Sequence, residues 1–181
     1  MRDAIYQALC GAEGFISGEA LSAKLGITRA ALWKHIKAIQ ADGAEIESVT
    51  NKGYRLSCPP RIPRAEYVRA YLNRDVPVFF EERSASTNET AKAAARDGNL
   101  KAGAFLAGEQ TSGKGRLGRT WVSKPGQGVY VTLLVRPAID PARLSGVTLM
   151  AAVAVCEAIE RISGIQSKIK WPNDVLVDGK K

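Results

Sequence analysis

The stretch GEALSAKLGITRAALWKHIKAIQ, residues 18–40, decides the fold of the first third of the chain. Leu21 and Leu25 lie four residues apart, and Leu32, Ile36 and Ile39 recur at steps of four and three, so each set falls on one helix face. Between the sets, Gly26 supplies a tight turn, Ile27 points inward and Thr28 is a natural N-cap for the next helix. Two short helices joined this way make a helix-turn-helix. Ile5 and Leu9 place an earlier helix before them. After Asp42-Gly43, Glu45 to Thr50 and Gly53 to Ser57 read as two strands around Asn51-Lys52, a small hairpin or wing in which Gly53 relieves backbone strain.

The 181-residue chain has a formal net charge of +8, unevenly placed. Residues 1–58 hold seven Lys/Arg and six Asp/Glu, so the excess lies beyond the candidate DNA reader. Local polarity nevertheless favours DNA contact. Thr28 to Lys37 carries Arg29, Lys34 and Lys37 and no acid, and Lys52 and Arg55 follow on the wing. The expected DNA-facing set is Thr28, Arg29, Ala30, Lys34, His35, Lys52 and Arg55, with Thr28 to Gln40 as the recognition helix. A half-buried helix position is an equal alternative for His35, the sole histidine.

Cys58-Pro59-Pro60-Arg61-Ile62-Pro63 can continue neither a ladder nor a helix, because three prolines remove three backbone donors. The expected organisation is therefore a winged helix-turn-helix over 1–58, a linker over 59–66 and a mixed α/β domain over 67–181, an α+β chain as a whole. In the last segment a short helix near Ala65 to Leu72, a strand at Val76 to Phe80 and a helix from about Ser86 come first. Strands at Ala104 to Ala107, Val129 to Val135 and Ser167 to Trp171 follow, with a long helix from about Pro141 to Ile162 between the last two. Val175-Leu176-Val177 reads as a strand entering an Asp178-Gly179 turn with only two residues after it, so the returning strand is expected to be missing and the chain to be a fragment.

The longest apolar stretch, Val147 to Cys156, is far below the ~20 residues of a membrane span. With no signal-peptide pattern at the amino terminus, a cytoplasmic protein is expected. Cys10, Cys58 and Cys156 are odd in number and widely spaced, which points to neither a disulfide framework nor a zinc site.

Three clusters carry chemistry. Gln110 to Trp121, QTSGKGRLGRTW, has three glycines and three cations without an acid, as a loop that wraps an anion requires. A solvated flexible loop is the bland alternative. Gly108 to Lys114 also fits the spacing of a phosphate-binding P-loop, but Gly115 stands where that motif needs Ser or Thr for magnesium, leaving a P-loop NTPase a weak competitor. Lys170-Trp171-Pro172-Asn173-Asp174 leaves a strand through a rigid turn. Ser86-Thr87-Asn88-Glu89 has a structural explanation as a capping box, with Ser86 and Glu89 as its members, yet a helix N-terminus also offers free N–H groups to a polar ligand.

In order and approximate spacing, Ser86-Thr87-Asn88, Gly113 to Trp121 and Lys170 to Asp174 resemble the biotin–protein ligases. The first 58 residues resemble the DNA-binding domain of the bifunctional members, through Thr28 to Ile36 (TRAALWKHI) and Asn51 to Leu56 (NKGYRL). The resemblance implies a biotin/lipoate ligase-like catalytic domain, here without its remainder and its small C-terminal β-barrel. It implies activation of biotin by ATP to biotinyl-5'-AMP, transfer to a lysine of a biotin carboxyl carrier protein, and repression of biotin synthesis through operator DNA. By resemblance, Ser86, Thr87, Asn88, Gln110, Gly113, Lys114, Gly115, Arg116 and Lys181 bind biotin. Arg116, Arg119, Trp121, Lys170 and Asn173 bind the nucleotide, with magnesium brought by ATP near Asn173. Arg116 and Lys181 are the expected catalytic residues, and a homodimer is expected with adenylate bound. Lys114 departs from the family's frequent arginine, keeping charge but losing bidentate geometry. A DNA-binding biotin sensor without ligase activity is the competing class; sensing alone would not need the phosphate-binding cations.

Overall fold

A computed structural model describes residues 1–140, 142 and 144–181. They form two compact units, Met1–Arg136 and Pro137–Lys181.

The first unit opens with helices α1 (Arg2–Cys10), α2 (Gly18–Leu25) and α3 (Arg29–Ala41), then strands β1 (Glu45–Val49) and β2 (Gly53–Cys58). The local signals act as expected. Thr28 accepts a hydrogen bond from the Ala31 N–H at 3.2 Å, and Gly26 ends α2 in the left-handed region at φ 64°. Strands β1 and β2 pair antiparallel, and the wing is held by backbone bonds between Ile16 and Tyr54. Gly53 sits at φ 106°, where a Cβ would fall 2.0 Å from the Ile16 carbonyl oxygen, so strain and space both demand glycine. Ile5, Tyr6, Leu9, Leu21, Leu32, Ile36, Ile39 and Ile46 make one core. Tyr67 is buried in it as well.

Tyr67 belongs to helix α4 (Ala65–Arg69), which follows the proline-rich segment. The other side of α4 meets a second core. Strands β3 (Val78–Ser84), β4 (Gly103–Gln110) and β5 (Tyr130–Leu134) form a sheet in the order β3-β4-β5, parallel between the first two and antiparallel between the last two. Ala65 and Val68 pack with Phe80 against Val78, Ala104 and Leu106 of this sheet. Helix α5 (Thr87–Arg96) connects the parallel strands and covers the opposite face, where Phe79 stacks on Phe105 with ring centroids 4.9 Å apart. β3 starts two residues later than the sequence suggests and runs to Ser84, because its ladder with β4 continues to Ser84–Gln110. That extension carries it directly into the site described below.

The second unit contains helix α6 (Ser145–Ser163) and the antiparallel pair β6 (Lys168–Lys170) and β7 (Asp174–Leu176). The expected helix start at Pro141 lies outside the described residues. Strand β7 does not stand alone: it pairs with the preceding strand β6 through Lys168–Leu176, Ile169–Val175 and Lys170–Asp174. Val177 and Lys180 close the Asp178-Gly179 turn by reciprocal backbone bonds of 2.9 Å. None of the helices, among the described residues, is long and apolar enough to cross a membrane.

Candidate functional site

The polar residues of the first unit converge where β3 ends, α5 begins and β4 ends. Ser86 is the N-cap of α5 and is almost fully buried, but its hydroxyl makes no capping bond. Its carbonyl accepts from the Glu89 and Thr90 N–H groups instead, and the Glu89 carboxylate turns to Lys92 at 3.3 Å and Lys114 at 3.2 Å. The expected capping box is therefore not formed. A free N–H at this helix end, that of Thr87, is satisfied by the Gln110 side chain: Gln110 Oε1 accepts from Thr87 N at 2.9 Å and from Thr87 Oγ1 at 3.1 Å. Gln110 Nε2 donates to Ser123 Oγ at 2.9 Å. From β5, Thr132 Oγ1 approaches Thr87 Oγ1 at 2.8 Å and Asn88 Oδ1 at 2.9 Å.

Beside this cluster, Gly113 to Trp121 folds back as a narrow hairpin. Trp121 N donates to Gly113 O at 2.8 Å and Gly115 N to Arg119 O at 2.7 Å. Gly113 is required here, since a Cβ would lie 2.5 Å from the Trp121 carbonyl oxygen. Arg116, Leu117 and Gly118 form the tip, with Leu117 at φ 57° and 92% exposed. Among the described residues Leu117 is thus left almost wholly to solvent, while the backbone around it is pinned. Lys114 is held on Glu89, whose carboxyl lies below its ordinary pKa because Lys114 and then Lys92 stabilise the anion. Ser86, Thr87, Asn88 and Gln110 are thus brought together, with Gly113, Lys114, Gly115, Arg116, Arg119 and Trp121 on the adjoining hairpin. Thr132 and Ser123 are additions the sequence does not flag.

The second unit gathers Lys170, Asn173, Asp174 and Lys181. Lys181 Nζ lies 2.7 Å from Asp174 Oδ1, and Asn173 Nδ2 donates to the same oxygen at 2.9 Å. Trp171 is exposed and precedes a cis bond to Pro172. Asp174 is the acid of this group and adds to the expected set. No group of three His, Cys, Asp or Glu side chains among the described residues could hold a metal ion.

On α3, Leu32, Ile36 and Ile39 are buried and Arg29, Ala30, Trp33, Lys34 and Lys37 are exposed. His35 is half-buried on the flank of the helix. Lys52 is exposed at the wing tip, but Arg55 is engaged within the wing. Its Nη2 contacts both Glu47 carboxylate oxygens, at 2.9 and 2.8 Å, and its guanidinium lies 4.8 Å from the Phe15 ring centre.

Comparison with known proteins reports on both parts. Residues 2–55 match the HTH domain family, and residues 81–181 match the Biotin/lipoate A/B protein ligase family. The bifunctional ligase/repressor BirA of Bacillus subtilis is 41% identical over 170 residues, 92% of this chain and 52% of that protein. Its Escherichia coli counterpart is 33% identical over 172 residues, 92% of this chain and 51% of that protein. The chain thus spans about half the length of the curated relatives it matches. The crystal structure of biotin protein ligase from Leishmania major in complex with biotinyl-5-AMP superposes with a TM-score of 0.52 at 26% identity, covering 58% of this chain and 49% of that one. The fold is an N-terminal helix-turn-helix followed by a mixed α/β ligase-like region. With more than half its length matched, the chain belongs to the Biotin/lipoate A/B protein ligase family.

Proposed function

We propose that the protein carrying this chain activates biotin with ATP to biotinyl-5'-AMP, transfers biotin to a lysine of a biotin carboxyl carrier protein, and represses biotin synthesis by binding operator DNA. The observation that carries the reading is the junction of the Thr87–Gln110–Thr132–Asn88 cluster with a glycine-built hairpin bearing Lys114, Arg116 and Arg119. The polar cluster suits the head of a small ring, and the hairpin cations suit anions at its other end. A carboxylate attacking the α-phosphate brings two anions together, and cations held there offset the repulsion and stabilise the charge that develops.

Ser86, Thr87, Asn88 and Gln110 orient biotin in this reading. Gly113 and Gly115 let the backbone approach, while Lys114 and Arg116 enclose the carboxylate and the adenylate phosphate. Arg119 and Lys170 face the nucleotide phosphates, with Trp121 packing the hairpin. Lys181, paired with Asp174, is the second catalytic residue in this reading, and Asn173 would help hold the magnesium that accompanies ATP, whose charge would offset that of the phosphates. Residues 1–58 read DNA through α3 and the wing, 59–66 link, and 67–181 belong to catalysis. The protein acts in the cytoplasm, as a homodimer when adenylate is bound. Intact protein incubated with biotin, MgATP and a carrier domain should add one biotin to the carrier, read by mass spectrometry. A carrier left unmodified, with biotin still bound, would instead identify a regulator without ligase activity.

A further inference from the structure

Nothing in the sequence singles out Thr132, since a threonine in an apolar strand reads as packing. In the fold it is a polar corner of the site, placed on the α5 side of the sheet by its register opposite Phe105. Its Oγ1 lies within hydrogen-bond distance of two oxygens, Thr87 Oγ1 and Asn88 Oδ1. A hydroxyl has one proton and cannot donate to both.

The direction of the bonds can be worked out from the one group that is unambiguous. The Thr87 backbone N–H can only donate, and it meets Gln110 Oε1, which fixes the Gln110 amide with Nε2 toward Ser123. Thr87 Oγ1 faces that same acceptor oxygen, so its proton points to Gln110 and it receives the proton of Thr132. Nothing remains on Thr132 for Asn88. A half-turn of the Asn88 amide exchanges its two ends, which are nearly alike in shape. The contact then becomes a hydrogen bond, with Nδ2 donating to Thr132 and Oδ1 carried to the exposed side.

We propose that Thr132 is a positioning residue of the ligand site: by accepting from Asn88 Nδ2 it holds Asn88 Oδ1 outward as an acceptor for an N–H of the bound ring. On the functional reading above, on which this inference rests, that ring is the cyclic urea of biotin. The chain Thr132 to Thr87 to Gln110 gives the site a fixed polarity, donors running inward and an acceptor facing out. Valine has the shape of threonine without the hydroxyl, so Thr132→Val leaves the Asn88 amide with no partner to orient it.

Calorimetric titration of the intact protein with biotin tests this. Thr132→Val should bind biotin about ten-fold more weakly and Thr132→Ser within about two-fold of the unaltered protein, the loss expected for one hydrogen bond. In an Asn88→Ala background, Thr132→Val should add less than about three-fold, because its effect passes through Asn88. Thr132→Ala, which lacks the hydroxyl and adds no bulk, should repeat the valine loss, whereas a loss confined to valine would trace to a disturbed strand and overturn the role; thermal melting is the control for folding. Unchanged affinity in Thr132→Val, serine as weak as valine, or an equal loss in both backgrounds would overturn the role of Thr132. Failure of the unaltered protein to bind biotin would overturn the functional reading itself.

Discussion

At Gly113, one missing carbon decides whether the hairpin can close. A Cβ there would meet the Trp121 carbonyl oxygen at 2.5 Å and Ser123 Oγ at 2.9 Å, so Gly113→Ala has to open the Gly113–Trp121 bond or displace the partner of Gln110. The expected cost is about 1–3 kcal/mol, read by urea denaturation, together with weaker biotin binding. Glu89 offers a second test at this scale. Its folded-state pKa is depressed, chiefly by Lys114, so its contribution is present above the ordinary carboxylate value and is lost as pH falls through the lowered one. Acidification into that range should free Lys114. Protease nicking of the hairpin should rise there in the unaltered protein, whereas Glu89→Gln should show the higher rate already at neutral pH; equal rates at neutral pH would exclude the tether.

At the scale of elements, α3 and the wing divide the work unequally. Arg29 and Lys34 stand exposed on the helix, whereas Arg55 is engaged by Glu47 and Phe15. The double substitution Arg29→Glu with Lys34→Glu should weaken operator binding at least about ten-fold and flatten its salt dependence, while biotin binding stays unchanged. Gel-shift titration at two salt concentrations measures both. These elements were open to a reading of the sequence because their determinants are local: an N-cap three residues from its donor, a left-handed glycine, apolar side chains at helical steps. The engagement of Arg55 was not, since Glu47 is eight residues away across a hairpin and pairing there depends on register. Glu89 misled for the opposite reason. Its spacing from Ser86 fits a capping box, but Lys114, 25 residues on, supplies a cation that takes the carboxylate away.

Across the first unit, Arg64 ties the end of α3 to the sheet that carries the candidate site. Its Nε lies 3.2 Å from Asp42 Oδ1 as an ion pair without good hydrogen-bond alignment, and its Nη2 meets Glu82 on β3 at 2.7 Å. Asp42, the C-cap of α3, also receives Tyr67 Oη and Arg2 Nη1. Burial, and then the neighbouring Asp42, raise the Tyr67 pKa. Because Glu82 is 72% exposed, only the Asp42 side of the tie counts fully, and Arg64→Met should destabilise the protein by about 1–2 kcal/mol, read by thermal melting. This arrangement was hidden from sequence because its members, Arg2, Asp42, Arg64 and Glu82, are brought together only by the tertiary fold.

Helix α4 gives one face to each core, and this limits how the protein can be recombined. A chimera joined at Cys58–Pro59, where composition invites the cut, would separate the winged helix from Tyr67 and from the arginine seated on Asp42. The donor fragment would keep α3 and the wing but expose Ile5, Tyr6 and Leu9, while the acceptor's α4 would arrive shaped for a different neighbour. Interchangeable parts would have to be exchanged with their shared wall, so a transplantable winged-helix module runs at least through Tyr71, whose hydroxyl lies 3.1 Å from that of Tyr6. Gene fusions that shuffle these domains should be tolerated when they carry residues 59–71 along and should yield insoluble protein when they break at the prolines.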